Sequence, residues 1–549
     1  MTDDENVVTR IGARLRGVAS LVDSVAPVPP RRDWNESRVR PVAGVRVRGT
    51  RRARPALAAA FAVGAVAVVT IAFGISWGIR QNGSAQATGS PTPGVSRSEP
   101  SGSPTPPASL VASSQASGGT HWPLSAPCGR DEGYCLFAAD GSLYVVADQI
   151  WAYDPAGHLR SGWPIAAPTG TGYDANGFAI APDGSLLVAV PGGIVDITVS
   201  GKTHPGWPVP VANGICQLLV EPSGTIVAVE DDVASSEAWV YALTVSGSTP
   251  MLWSTRIAGD ASNAFAASDG TIFLVGGGRG GGTALSTVGA DGKLIAGWST
   301  SVWNAMAVTP SGDLAVVAYD TQPTAAGMAA YNVLRTHVSV LDRNLKTVAG
   351  WPRVIDGPAS APAVGPDGAV YLLLGDTVAT GSVLALDASG NTEPGWPFSL
   401  PDGYAGIPGD QSAGHTNVSQ PLIVANGMVY VAASRSTGGQ MIAAFKTIGS
   451  THAGWTYRIP SDRRFAPMGY SSLGYPAVAS ATGTLFVMEQ IDDSTGAVVA
   501  IGIDGQVSPG WPYVFSPGPL GSTVLADGGV GVWSKDFATR LTAAGSPSA

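Results

Sequence analysis

The chain has 549 residues, of which 72 are glycine, 42 are proline and only 13% are charged. Its formal net charge of −9 is uneven, because residues 1–54 hold twelve arginines against six acidic residues and the remainder is strongly acidic. A basic tail and an acidic body are typical of opposite sides of a membrane and argue against a nucleic-acid partner. Three cysteines are too few for a disulfide scaffold or a cysteine-based metal site.

The N-terminal residues 1–54 predict a cytoplasmic basic tail that is largely disordered. A weak helical periodicity between Val7 and Val25 leaves a helix that docks a cytoplasmic partner as the alternative. The arginines from Arg46 to Arg54 directly precede a hydrophobic segment, so we interpret them as an orientation signal.

Residues 55–79 carry no charged side chain and predict a single transmembrane helix. As a helix this segment would be roughly 37 Å long, which is enough to cross a bilayer core of about 30 Å. The positive-inside rule places the N-terminus in the cytoplasm and the rest of the chain outside the cell membrane. Residues 80–120 are rich in serine, proline and glycine and predict a linker.

A Gly-Trp step recurs seven times beyond residue 120, and five copies continue into proline. Weaker copies at Trp122 and Trp253 fill the gaps in this series, and the intervals between successive tryptophans are 41, 44, 46, 45, 53, 45, 59 and 56 residues. Such spacing is typical of a four-stranded propeller blade. The Gly-Trp tryptophans are Trp163, Trp207, Trp298, Trp351, Trp396, Trp455 and Trp511.

One repeat can be followed from Ser360 to Trp396. A short apolar strand precedes the turn Pro366-Asp367-Gly368, and a longer apolar strand follows it. A third strand ends in Leu386-Asp387, and the Gly-Trp-Pro step begins the fourth. We interpret the repeated tryptophans as structural, since a large aromatic side chain fills the widening gap between neighbouring blades. An exposed row of sugar-stacking aromatics is the alternative.

The apolar-Asp strand, the glycine turn and the tryptophan, as in Ala385-Leu386-Asp387 to Trp396, resemble the quinoprotein-like (pyrroloquinoline-quinone-like) propeller superfamily. The resemblance covers residues 121–549 and implies an all-β, single β-propeller of about eight four-stranded blades, with seven to nine compatible with the spacing. Strict counting of the repeats gives nine, but we expect the first or last unit to be degenerate. His121-Trp122-Pro123-Leu124 is expected to supply a missing outer strand and close the ring.

Dehydrogenases of this superfamily carry adjacent, disulfide-bonded cysteines beside the cofactor and a calcium site. The present chain has no adjacent cysteines, and no calcium ligands can be assigned by motif. We therefore expect neither pyrroloquinoline quinone nor calcium, and no catalytic or metal-binding residue is predicted. Cofactor-free members of the family are binding or assembly modules. Cys128 and Cys135 are close enough in sequence to form a disulfide if the domain lies outside the cytosol, although spacing alone does not decide this.

Extra residues accumulate on one side of the predicted ring. They fall between second and third strands, as at Asp320 to Arg335, and between one blade and the next, at Pro401 to Gln420 and Ser461 to Tyr475. In a propeller these connections open on the same face, where binding sites are common. The two longest predict a ligand face that includes Asp410, His415, Asn417, Asp462, Arg463 and Arg464. Plain solvated loops are the alternative.

These features predict a non-catalytic, membrane-anchored, extracytoplasmic propeller that binds a protein, a peptide or a cell-wall ligand. A divergent quinoprotein dehydrogenase, or a hydrolase on the same fold, is the enzymatic alternative. A transmembrane sensor is the third possibility, and it requires the tail to contact a cytoplasmic partner.

Overall fold

The computed structural model shows a single β-propeller with nine four-stranded blades. It describes residues 122–128, 133–168, 177–211, 214–221, 223–232, 237–245, 250–259, 261, 263–278, 282–300, 305–324, 327–375, 381–401, 403–406, 422–435, 438–447, 454–466 and 477–544. The predicted tail, transmembrane helix and linker lie outside these residues. Within the described part of the chain, no helix is long and apolar enough to span a membrane.

Each blade is an antiparallel sheet, and in the first six blades four strands pair in sequence order from the innermost to the outermost. Blade 1 contains β2 (Tyr134–Phe137), β3 (Leu143–Val146), β4 (Gln149–Tyr153) and β5 (Ile165–Ala166). Blade 2 contains β6 (Phe178–Ile180), β7 (Leu186–Val190), β8 (Gly193–Ile197) and β9 (Val209–Pro210). Blade 3 contains β10 (Ile215–Val220), β11 (Ile226–Asp232), β12 (Glu237–Leu243) and β13 (Met251–Ala258). Blade 4 contains β14 (Asn263–Ala266), β15 (Ile272–Gly278), β16 (Gly282–Val288) and β17 (Leu294–Thr300).

Blades 5 and 6 follow the same plan, and in blades 7 and 8 the innermost strand is divided into two segments. Blade 5 contains β18 (Ala305–Val308), β19 (Leu314–Thr324), β20 (Gly327–Leu341) and β21 (Arg353–Asp356). Blade 6 contains β22 (Ala363–Val364), β23 (Val370–Leu374), β24 (Ser382–Leu386) and β25 (Phe398–Ser399). Blade 7 contains β26 (Tyr404–Gly406), β27 (Leu422–Ala425), β28 (Met428–Arg435), β29 (Gln440–Lys446) and β30 (Trp455–Arg458). Blade 8 contains β31 (Arg464–Phe465), β32 (Ala477–Ala479), β33 (Leu485–Gln490), β34 (Gly496–Ile501) and β35 (Tyr513–Phe515).

Blade 9 closes the ring. It combines β36 (Gly521–Val524), β37 (Val530–Trp533) and β38 (Phe537–Leu541) with the N-terminal strand β1 (Leu124–Ser125), which pairs with β38. The expected closure by an N-terminal outer strand is confirmed. The expectation of eight blades is wrong, because the chain after β35 folds into three full strands of a ninth blade rather than a degenerate unit. The strict repeat count of nine was correct.

A disulfide between Cys128 and Cys135 spans this closure. The backbone N–H of Cys128 donates to the carbonyl of Lys535 in blade 9, whereas Cys135 lies in β2 of blade 1. Both cysteines are buried, and their Cα atoms are 5.2 Å apart. The bond therefore joins the first and last blades covalently, next to a strand that is only two residues long.

The hydrophobic core is divided into nine clusters, one between each pair of neighbouring blades. The cluster between blades 8 and 9, for example, packs Phe486 and Met488 against Val530 and Val532. Second strands are almost fully buried because each lies between two neighbouring sheets, as the burial of β3 and β23 shows.

The repeated tryptophans link each blade to the next. In six described cases the indole N–H donates to the backbone carbonyl two residues after the third strand of the following blade, at 2.9–3.1 Å. These pairs are Trp122 with Pro155, Trp163 with Val199, Trp253 with Ala290, Trp351 with Ala388, Trp455 with Ile503, and Trp511 with Ala543. The bond from Trp122 runs from blade 9 to blade 1, so the series continues across the closure.

Two glycines of the repeat, one in the turn after the third strand and one before the tryptophan, are explained by the contact between each tryptophan and the next blade. A Cβ atom at Gly505, in the turn of blade 8, would lie 2.5 Å from Cγ of Trp455. Gly350 precedes Trp351 with a φ of 95°, and its Cα faces the carbonyl of Ser389 in the next blade. Both positions exclude larger residues, because the backbone of one blade lies directly against the tryptophan step of its neighbour.

Candidate binding face

The two faces of the ring are built differently. One face, the turn face, carries the connections between first and second strands and between third and fourth strands. Eight of the nine first turns share one hydrogen-bonding pattern, as in Ala138 to Ser142, where the amide of Ala138 donates to Ser142 and that of Gly141 donates to Ala138. The Asp140 carboxylate accepts a hydrogen bond from the amide of Ser142. Carboxylates in such turns satisfy their own backbone, as expected for short Asp-Gly turns.

The opposite face, the loop face, carries the connections between second and third strands and between successive blades. Much of its extra length consists of extended hairpins rather than the loops expected from the sequence. The β19–β20 ladder continues beyond Asp320 and Arg335, with Thr321 paired with Val333 and Gln322 with Asn332. The insertion in blade 5 is therefore mainly a ribbon of paired strands.

The two longest insertions interrupt the innermost strand of their blades. In blade 7, β26 and β27 both pair with β28, and in blade 8, β31 and β32 both pair with β33. The sequence placed this extra length wholly before the first strand of each blade. The structure corrects that placement, because Tyr404–Gly406 and Arg464–Phe465 are already paired at the inner edge of the sheet.

A buried carboxylate organises the loop face between blades 7 and 8. Glu489, near the end of β33, is 0% exposed. The hydroxyl of Tyr457 in blade 7 donates to Glu489 Oε1 at 2.8 Å, and Arg463 Nη1 donates to Glu489 Oε2 at 2.9 Å. The amide of Phe465 donates to the Gln440 side chain at 2.5 Å, which adds a second link between these blades.

The electrostatics of this cluster follow from burial. Desolvation raises the pKa of Glu489, and the hydrogen bonds from Tyr457 and Arg463 lower it without reversing the shift. Burial also raises the pKa of Tyr457, and the neighbouring carboxylate adds to that effect. The cluster holds the first residues of the blade 8 insertion in place because Arg463 directly precedes β31.

The predicted ligand residues separate into three groups. Asp410, His415 and Asn417 lie outside the described residues. Arg463 keeps 21% of its side chain exposed but is paired with Glu489, so it anchors the chain. Arg464 is 61% exposed, lies 3.5 Å from Asp493, and is the only charged residue on the innermost strands among those that the structure describes. Asp462 is exposed and raises the pKa of Glu489.

The sequence did not reveal Glu489, Tyr457 or Gln440 as parts of this face. A glutamate at the end of an apolar strand is usually solvated, so the run Leu485 to Gln490 did not predict a buried carboxylate. One signal was present: the equivalent position in blade 3 is also glutamate. Glu230 is likewise fully buried and accepts a hydrogen bond from the hydroxyl of Tyr241.

The innermost strands carry little charge in the part of the chain that the structure describes. Apart from Arg464, the described first strands contain only apolar and neutral polar residues. Gln217 in β10 exchanges two hydrogen bonds with the backbone of Ala264 in β14, at 2.6 and 3.4 Å, and so joins the inner strands of blades 3 and 4. In the described parts of the chain, no group of three His, Cys, Asp or Glu residues is arranged to hold a metal ion.

No protein-family model and no curated protein matches this sequence. Among solved structures, a putative dipeptidyl aminopeptidase IV from Bacteroides ovatus is 10% identical with a TM-score of 0.41, covering 68% of this chain and 59% of its own. The WD40 domain of SCAP from fission yeast is 11% identical with a TM-score of 0.37, covering 75% and 95%. Virginiamycin B lyase from Staphylococcus aureus is 11% identical with a TM-score of 0.31, covering 56% and 94%. Similarities this low carry no argument about function, and the nine-bladed propeller stands on its own strand pairing.

Proposed function

We propose that this chain is a membrane-anchored, extracytoplasmic binding protein whose quinoprotein-like propeller holds a protein, peptide or cell-wall ligand on the loop face. One observation carries the proposal: on the turn face, eight of the nine first turns are short and hydrogen-bonded within themselves, whereas the loop face carries extended hairpins and two interrupted inner strands. Variable structure on one face of a rigid ring is typical of binding proteins.

The location rests on two further observations. Residues 55–79 have the length and composition of a membrane span, with arginines concentrated on the N-terminal side. The disulfide between Cys128 and Cys135 supports a propeller outside the cytosol, because such bonds persist in oxidising compartments.

The enzymatic alternative is less well supported by the described residues. Glu230 and Glu489 are the carboxylates buried near the loop face, and both are fully buried and bonded to tyrosine hydroxyls. A general base must reach its substrate directly or through one water, which these two groups cannot do without rearrangement.

Site-specific photocrosslinking in cells tests the proposal. A photoreactive residue at Asp356 or Asp493 reports on the loop face, and one at Lys293 on the turn face is the matched control, since all three side chains are highly exposed. We expect discrete crosslinked products from the loop-face positions only. Equal crosslinking from both faces, or none from the loop face, would count against a loop-face ligand.

A further inference from the structure

The joint between blades 2 and 3 is one of those for which no indole hydrogen bond is described. Trp207 is buried at this joint, yet its indole N–H has no hydrogen-bond acceptor in the structure described. The turn of blade 3 that corresponds to the acceptors elsewhere begins at Thr244 and Val245. This joint therefore lacks the link that six other tryptophans form with the following blade.

A second position of the repeat also points towards the next blade's turn. It lies on the third strand, directly opposite the second residue of the second strand. In blade 7 it lies opposite the third residue of the second strand. In six blades it holds a small apolar residue, namely Ala152, Ala242, Val340, Ala385, Ala444 and Ala500. The other three blades have Asp196, Thr287 and Arg540.

Two of these three polar residues are donors that reach the next turn. Thr287 Oγ1 donates to the carbonyl of Arg343 at 2.7 Å. Arg540 Nη1 donates to the carbonyl of Pro155 at 2.8 Å, the same carbonyl that accepts the indole N–H of Trp122. By the repeat, the third residue, Asp196, faces Val245, which follows the third strand of blade 3 by two residues, as Arg343 and Pro155 do in their blades. An ionised carboxylate has no proton to donate to the carbonyl oxygen of Val245.

Asp196 is fully buried, and neither carboxylate oxygen completes a hydrogen bond of ordinary geometry. Burial is the main cause that raises its pKa to about 6; Asp183 adds to the rise, whereas the Ser185 hydroxyl and His204 oppose it. All three of these groups belong to blade 2. On the blade 3 side of the joint, Tyr241 is bonded to Glu230, and Glu221 is influenced by Asp269 of blade 4.

We propose that Asp196 forms a protonation-dependent link between blades 2 and 3. When the carboxyl group is protonated, its O–H takes the donor role that Thr287 and Arg540 have in their blades, and the joint closes. When it is ionised, its oxygens face the carbonyl oxygen of Val245 without a proton between them, and the joint loosens.

The direction of the pH effect follows from proton linkage. The folded state binds the Asp196 proton more tightly than the unfolded state, whose pKa is near 3.8. The stabilisation that comes from protonated Asp196 is complete below the unfolded-state pKa and is lost as the pH rises through about 6. A shift of this size corresponds to roughly a hundredfold change in the ratio of folded to unfolded protein.

The test uses the full-length chain in detergent, with denaturant midpoints measured between pH 4 and 8. Asp196→Asn keeps the shape and supplies a permanent donor, and Asp196→Ala installs the residue found in five other blades. We expect the stability change across this window to be smaller in both variants than in wild type, by the roughly hundredfold contribution of Asp196, and both variants to be more stable than wild type at pH 8. Ala385→Asp, at the same position of blade 6, should introduce a similar pH dependence.

Hydrogen exchange of residues 193–203 and 237–245, corrected for intrinsic rates, gives the local readout. Faster exchange at pH 8 than at pH 5 in the wild type, absent from Asp196→Asn, is the expected result. The proposal is overturned if the variants retain the wild-type pH dependence, or if both are less stable than wild type at pH 8.

Discussion

The cluster around Glu489 predicts an asymmetric response to mutation. Arg463→Met leaves a fully buried carboxylate with one neutral donor, Tyr457. Glu489→Gln keeps the shape and can still accept the tyrosine hydrogen bond, while the partly exposed arginine can turn towards solvent. Substituting one or the other partner of this ion pair should therefore change the free energy of unfolding by different amounts.

The magnitudes follow from burial. Removing one partner of a fully buried pair costs about 3–5 kcal/mol. Because solvent screens the partly exposed Arg463, we expect Arg463→Met to cost about 2–3 kcal/mol at pH 7.5. Glu489→Gln should cost only about 0–1 kcal/mol, since it also removes the desolvation of a charge. The double variant should resemble Glu489→Gln, which implies a coupling of about 2 kcal/mol.

The pH dependence supplies a second check. The folded pKa of Glu489 is raised above its ordinary 4.5, so its contribution to stability is largest at low pH and declines as the pH rises through the folded pKa. Protonated Glu489 is neutral and needs no neighbouring cation. The destabilisation caused by Arg463→Met should therefore shrink as the pH falls through the folded pKa of Glu489. Urea denaturation monitored by tryptophan fluorescence measures all four proteins. Equal costs for the single variants, with additivity in the double, would refute the reasoning.

Three further outcomes are expected. Trp351→Phe should cost about 1 kcal/mol more than Trp207→Phe in urea denaturation, because only Trp351 loses an indole hydrogen bond to the next blade; equal costs would contradict the role assigned to that bond. Cys128→Ser should destabilise the oxidised protein by about 2–3 kcal/mol, as expected for a short closed loop, and adding Cys135→Ser should cost little more. Deleting residues 55–79 should release the propeller from the membrane fraction, and continued sedimentation with membranes would exclude this segment as the anchor.

The sequence predicted the architecture because the repeat is local. Asp-Gly turns, apolar strands and the Gly-Trp step can each be recognised from a few consecutive residues. The predicted blade number of eight was wrong because the first or last repeat was expected to be degenerate, whereas the last unit forms three full strands that β1 completes. The acceptors of the indole hydrogen bonds were not predictable, since Trp351 and Ala388 belong to neighbouring blades whose packing no local pattern encodes.

The candidate face was only partly predictable. The sequence located the insertions, but it could not show that Thr321 and Val333 pair as an extended hairpin, or that Arg464 begins an inner strand. It selected Arg463 as a ligand residue, and it did not reveal the buried glutamate with which that arginine is paired. Polar residues near strand ends look solvated in a sequence, and only tertiary packing reveals which of them are enclosed.

The central claim is that a ligand covers the loop face, and radical footprinting in native membranes tests it most directly. Side-chain oxidation of the propeller is compared between intact membranes and the purified chain. We expect protection in membranes of residues on the loop face, such as Arg335 and Arg464, with unchanged oxidation of Leu159 and Val507 near the turn face. Protection confined to the turn face, or identical oxidation in both preparations, would contradict the claim.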